Sequence, residues 1–234
     1  MKKRILFNIS YFLLWLFYFV IARCCFFLFY FEKTTETGFL DTIKASFYGL
    51  RLDASFVGYI SLIPFLLVLL SVLIPNKLTS FLLKIVTFPI VFIVSILMII
   101  DIGLYQSWGV RIDSTLLNYL NTPEIMWAST TSSQVILGVG FWLLLSLFFC
   151  YLFNKLINNK VLNFIKGNIT QALVLLIITA SLILPIRGGI QEIPINQSNV
   201  YFSKNMFANH AAILLTQFLK RKKEKTHTKY LMKM

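Results

Sequence analysis

The residues best suited to chemistry fall in two short, similar segments: Gly49-Leu50-Arg51-Leu52-Asp53 and Gly109-Val110-Arg111-Ile112-Asp113. An arginine guanidinium is a planar fork of N–H donors that matches the paired oxygens of a carboxylate or a phosphate. Residues two apart point away from each other on a helix, so Arg51 and Asp53 do not pair within one. Three roles fit the recurrence. The two segments pair with each other, an arginine fork faces an anionic lipid head group, or the charges anchor the chain at a membrane surface, which is the favoured reading. With Arg187, ahead of Gly188-Gly189, the residues Arg51, Asp53, Arg111 and Asp113 make five candidates for contact with a lipid head group or with another domain.

Other reactive residue types form no constellation. The two histidines, His210 and His227, have no metal-ligand spacing. Cys24, Cys25 and Cys150 have neither zinc nor disulfide-framework spacing and read as apolar side chains. Gly-rich phosphate loops, nucleophile elbows and metalloprotease helices do not occur. Asn196-Gln197-Ser198 matches a glycosylation sequon, a weak signal in isolation. No catalytic residue and no metal ligand are assigned, and by its own residues the chain does not read as an enzyme.

The elements that hold these residues follow from composition. Of 234 residues, 58% are apolar and 13% charged, against about 25% charged in an average soluble domain. The abundant Phe, Leu and Ile exclude disorder. Uncharged runs are long: Ile5 to Ala22, Ala54 to Asn76, Ile125 to Asn154 and Gly167 to Ile186. Roughly 20 apolar helical residues cross a hydrocarbon layer about 30 Å thick. Five spans fit, at about 7–30, 56–75, 81–100, 135–153 and 170–186. The expected fold is therefore an all-α integral membrane domain over residues 1–186, with short interfacial helices on one side. The first apolar stretch is too long for a cleaved signal and lacks a small-x-small site after Phe31.

The net charge of +13 sets a direction. With a cytoplasmic N-terminus, segments 1–4, 76–84 and 154–169 lie inside and hold eight basic residues and no acidic one. The two outer loops hold four basic residues, Lys33, Lys44, Arg51 and Arg111. This is the positive-inside asymmetry, and five spans then place residues 187–234 outside. The tail Lys220–Lys233 has a net charge of +6 but lies far from the last span. It lacks interleaved aromatics apart from Tyr230, so nucleic acid is not expected as a partner.

Several outer features are legible. Leu40, Ile43, Phe47 and Leu50 share a helical face, which predicts an interfacial helix over 38–53, ahead of the second span. Asp113 and Thr122-Pro123-Glu124 offer caps for two short helices within 101–134. Arg23, near the outer end of the first span, reads as snorkelling to the interface, and Asp101 as a boundary charge. After Arg187 come an extended linker and an amphipathic helix carrying Phe207, Ala211, Leu214, Leu215 and Phe218.

Three stretches, "GLRLDASFVGYI", "DIGLYQSWGVRIDSTLLNYLNTPEIMWAS" and "RGGIQEIPINQSNVYFSKNMFANHAA", resemble the membrane portion of lipoteichoic-acid-synthase-like proteins. These are sulfatase-family phosphoglycerol transferases of the alkaline phosphatase superfamily. The resemblance spans residues 40–212, and its specificity lies in the order and spacing of the segments. It implies a bacterial cytoplasmic (inner) membrane location and an anchor preceding a large extracytoplasmic catalytic domain. That domain would hold a divalent metal, Mn or Mg, and a threonine nucleophile acting on a phospholipid. After Ala212 this sequence departs from the family pattern and ends in "ILLTQFLKRKKEKTHTKYLMKM". The expectation is a truncated or frameshifted member, inactive alone, with the bilayer and anionic phospholipid head groups as its partners. The alternative is a non-enzymatic accessory protein or small transporter. A transporter should place polar residues near mid-membrane, and by sequence the spans are nearly devoid of them.

Overall fold

A computed structural model describes residues 1–37, 39–108, 132–165 and 167–187. Regular structure among these residues is entirely helical: α1 (Lys2–Phe29), α2 (Phe31–Thr37), α3 (Phe39–Leu70), α4 (Asn76–Trp108), α5 (Ser132–Val161), α6 (Ile169–Ser181) and α7 (Ile183–Ile186). Within a bilayer no water is present to satisfy backbone N–H and C=O groups, so a helix is the way an isolated apolar segment satisfies its own. Five stretches are long and apolar enough to cross: Lys2–Phe29, Gly49–Leu70, Asn76–Gln106, Ser132–Val161 and Ile169–Ile186. The chain is thus an all-α, multi-pass membrane protein.

The α1 helix organises the bundle. Arg4, Asn8, Tyr11, Trp15, Tyr18, Ala22 and Phe26 are buried along it, at spacings of three and four that form one continuous seam. The opposite face, including Leu6, Ile9, Leu13 and Phe17, is exposed, as suits contact with acyl chains. The α1 helix packs on α3 and α5, α4 on α3 and α5, and α6 with α7 on α3. The seam is largely aromatic: Trp15 and Tyr11 meet Phe153, Tyr18 meets Phe149, and Phe19 meets Phe56. Large rings fill the space between helices that a small-residue interface would close by backbone approach.

Two elements differ from the sequence expectation. The amphipathic segment 38–53 is not a separate interfacial helix before the second span. From Phe39 onward it is the first part of α3, which runs unbroken to Leu70. Pro64 lies inside α3 and Pro89 inside α4, positions that neighbouring helices make tolerable. The fifth span is divided, with a turn at Leu182 separating α6 from the short α7. Residues 101–108 extend α4, and the two helices expected beyond them lie outside the described residues.

Candidate functional site

The end of the bundle where α1 finishes gathers three of the charges noted above. Arg23 is 4% exposed, Asp53 2% and Asp101 1%. Arg23 Nη2 donates to Asp53 Oδ2, and Arg23 Nη1 donates to the Ser46 carbonyl at 3.0 Å. The pair therefore locks α1 to α3. Burying two charges is costly unless they are mutually satisfied, and here one arm of the guanidinium takes the carboxylate while the other takes a backbone carbonyl. Arg23 thus does not snorkel to the interface as expected; burial against α3 leaves Asp53 as its counter-ion. Asp101 is likewise no exposed boundary charge, because α4 continues past it and packs it inside.

Arg51 is half-buried on the same α3 end, and Arg187 is exposed just after α7. The two are brought to one end of the bundle by the docking of α7 on α3. Ser55 Oγ donates to the Ile186 carbonyl at 2.9 Å. Gly58 leaves room for the same residue, since a Cβ there would stand 2.8 Å from Ile186 Cγ1. Of the five sequence candidates, Arg51, Asp53 and Arg187 therefore share this end. Arg111 and Asp113 lie outside the described residues. Asp53 is a structural counter-ion in a buried pair, which removes it from direct contact with a head group.

The opposite end holds a second polar cluster that the sequence reading passed over. Arg4 is 2% exposed. Its Nε donates to Ser71 Oγ at 3.0 Å and its Nη2 to the Ser71 carbonyl at 3.0 Å. Its Nη1 donates to the Ile165 carbonyl at 2.9 Å and to Gln171 Oε1 at 3.4 Å. The guanidinium also lies 4.9 Å from the Phe164 ring centroid, within cation–π range. One side chain thus joins α1, the end of α3, the α5–α6 connector and α6. A Cβ on Gly167 would meet Val72 Cγ1 at 3.0 Å and Arg4 Nη1 at 3.3 Å, so glycine there lets the connector close over Arg4. Nearby, Lys160 Nζ donates to Ser10 Oγ at 2.5 Å.

Between the two ends the spans are less apolar than their hydropathy implied. Tyr11 and Thr87 share a hydroxyl hydrogen bond of 3.0 Å, and the Tyr18 hydroxyl donates to Ser95 Oγ at 3.0 Å. Both link α1 to α4. Asn8, Trp15 and Ser61 are fully buried, and Asn8 Nδ2 and Oδ1, Trp15 Nε1 and Ser61 Oγ have no hydrogen-bond partner among the described residues. The signal that could have found this face is the three-and-four spacing of Arg4, Asn8, Tyr11, Trp15 and Tyr18 along one side of α1.

Among the described residues no group of three or more His, Cys, Asp or Glu could hold a metal ion. Cys24, Cys25 and Cys150 are free thiols. Comparison with protein-family models, with curated proteins and with solved structures gives no match. The fold and its charges therefore define the class, a multi-pass helical membrane protein with a charged cluster at each end.

Proposed function

We propose that this chain is the membrane-anchor part of a sulfatase-family phosphoglycerol or phosphoester transferase, itself without catalytic residues. In this reading it sits in a bacterial inner membrane with the Arg4 end cytoplasmic and the Arg23–Asp53 end facing outward. The observation that carries it is the Ser55–Ile186 hydrogen bond. Ser55 belongs to the first of the three stretches that bear the family resemblance, and Ile186 immediately precedes the third. Their contact seats Ile186 at the α3 end that carries Arg51, and in this reading the outward linker begins at the next residue. Exposed Lys2, Lys3, Lys77 and Lys155 at the Arg4 end support the orientation, because basic residues favour the cytoplasmic side.

Arg51 and Arg187 then serve as the cationic contacts for an anionic phospholipid head group at the outer surface, the place from which a linked catalytic domain would take its substrate. Divalent metal chemistry belongs to that domain and not to these residues. The test is lipid retention: the purified chain in mixed bilayers of phosphatidylglycerol and phosphatidylcholine should enrich phosphatidylglycerol in its co-purifying lipid. Arg51→Gln with Arg187→Gln should reduce that enrichment several-fold. Equal retention by parent and double variant would overturn the head-group role.

A further inference from the structure

The unpartnered polar atoms inside α1 and α3 carry an inference independent of the transferase reading. Asn8 is fully buried, and both its amide nitrogen and its amide oxygen lack partners. Buried amides are almost always hydrogen-bonded, and a group left without protein partners calls for water. Hydrocarbon makes that demand stronger, since nothing outside the bundle can meet it.

The position of Asn8 also supplies the partners a buried water needs. Arg4 lies one turn away on the same face, about 6 Å along the axis, and Tyr11 lies about 4.5 Å in the other direction. The Tyr11 hydroxyl is paired with Thr87. Trp15 Nε1, one turn further along the same helix, is also buried without a hydrogen-bond partner among the described residues. A bound water typically contacts two to four polar atoms. The Asn8 amide, the Tyr11–Thr87 pair and the Trp15 N–H provide that many along the seam that α1 shares with its neighbours.

We infer that the bundle interior holds an enclosed water-binding site along the α1 seam, running from Asn8 to Trp15 near the middle of the helix. Ordered water there bridges Asn8 to the Tyr11–Thr87 pair and satisfies the Trp15 N–H. The site makes the α1 seam a hydrated polar face where hydropathy alone reads dry.

The test uses the whole chain in nanodiscs with 5-fluorotryptophan in place of tryptophan, the Trp15 fluorine resonance being assigned with Trp15→Phe. The probe is water itself, exchanged between H2O and D2O. Hydration predicts a measurable solvent isotope shift at Trp15, smaller than that of the free amino acid. No shift at Trp15 would overturn the site. Asn8→Leu should reduce the shift at Trp15 at least twofold by removing the amide that holds the water; an unchanged shift in a folded Asn8→Leu protein would overturn the role of Asn8. Should Asn8→Leu fail to fold, Asn8→Val gives the same decision: it also removes the amide and should reduce the shift at least twofold, and an unchanged shift would overturn the role of Asn8.

Discussion

Asp53 accepts a hydrogen bond from Arg23 across the seam between α1 and α3, and both side chains are almost wholly buried. Their backbone positions are 30 residues apart, so the contact closes the first two spans on each other at one membrane face. Removing one member strands the other in a medium that cannot solvate it. Asp53→Ala should destabilise the bundle by about 3–5 kcal/mol, whereas Arg23→Met with Asp53→Leu should recover most of that loss. Reversible unfolding in mixed detergent micelles measures both. A double variant no better than the single one would show that the pair does more than satisfy itself.

Arg4 is the counterpart at the other end. Its four hydrogen bonds and its position over Phe164 use the planar fork, which a lysine ammonium cannot reproduce. Arg4→Lys should therefore cost roughly 1–3 kcal/mol despite keeping the charge. Ser71→Ala should cost about 1 kcal/mol, since it leaves the Arg4 bond to the Ser71 carbonyl in place. The same unfolding assay separates the two.

The hydroxyl bridges to α4 are weaker. In a bilayer, interhelical hydrogen bonds average about 0.6 kcal/mol, so Tyr18→Phe should have an effect of that order. Tyr18→Ala also empties a ring from contact with Phe149 and should cost about 3–5 kcal/mol. Comparable losses from both variants would mean that the hydroxyl bond to α4, and not the ring against α5, carries the contribution of Tyr18.

The fold class was legible because hydropathy and length alone locate membrane helices. What the charges do was not. Arg23 next to an interface reads as snorkelling, because its partner comes from another helix and no local pattern points to it. Asn8, Trp15 and Ser61 vanish into apolar windows, since an averaged hydropathy does not register which face a residue occupies. Segment 38–53 reads as interfacial because Leu40, Ile43, Phe47 and Leu50 share one helical face while Asp41, Lys44 and Arg51 lie elsewhere. In fact Asp53 is neutralised by Arg23, which lets one helix run from the amphipathic stretch into the span. Arg51, Asp53 and Arg187 were legible as a group by their position near the same membrane face. That Asp53 is consumed in a pair was not.

Gly58 controls how α7 seats. A Cβ there falls within 2.8 Å of Ile186 Cγ1, with the Ile186 backbone nitrogen at 3.5 Å. Gly58→Val should push α7 away from α3 and break the Ser55 contact with the Ile186 carbonyl. Spin labels at Leu62 and Arg187 should report a longer and broader distance distribution in the variant. An unchanged distribution would show that Ile186 rearranges in place.

The transferase-anchor reading requires residues after Arg187 to emerge outside the cytoplasm, next to the Arg23–Asp53 end. Single cysteines placed at Ser198 and at Lys2, in a protein lacking the native three, can be labelled in intact cells with a membrane-impermeant maleimide. The expected result is labelling at position 198 and none at position 2 until the membrane is opened. Labelling at position 2 with protection at position 198 would contradict the orientation and, with it, the role of this bundle as an anchor for an external catalytic domain.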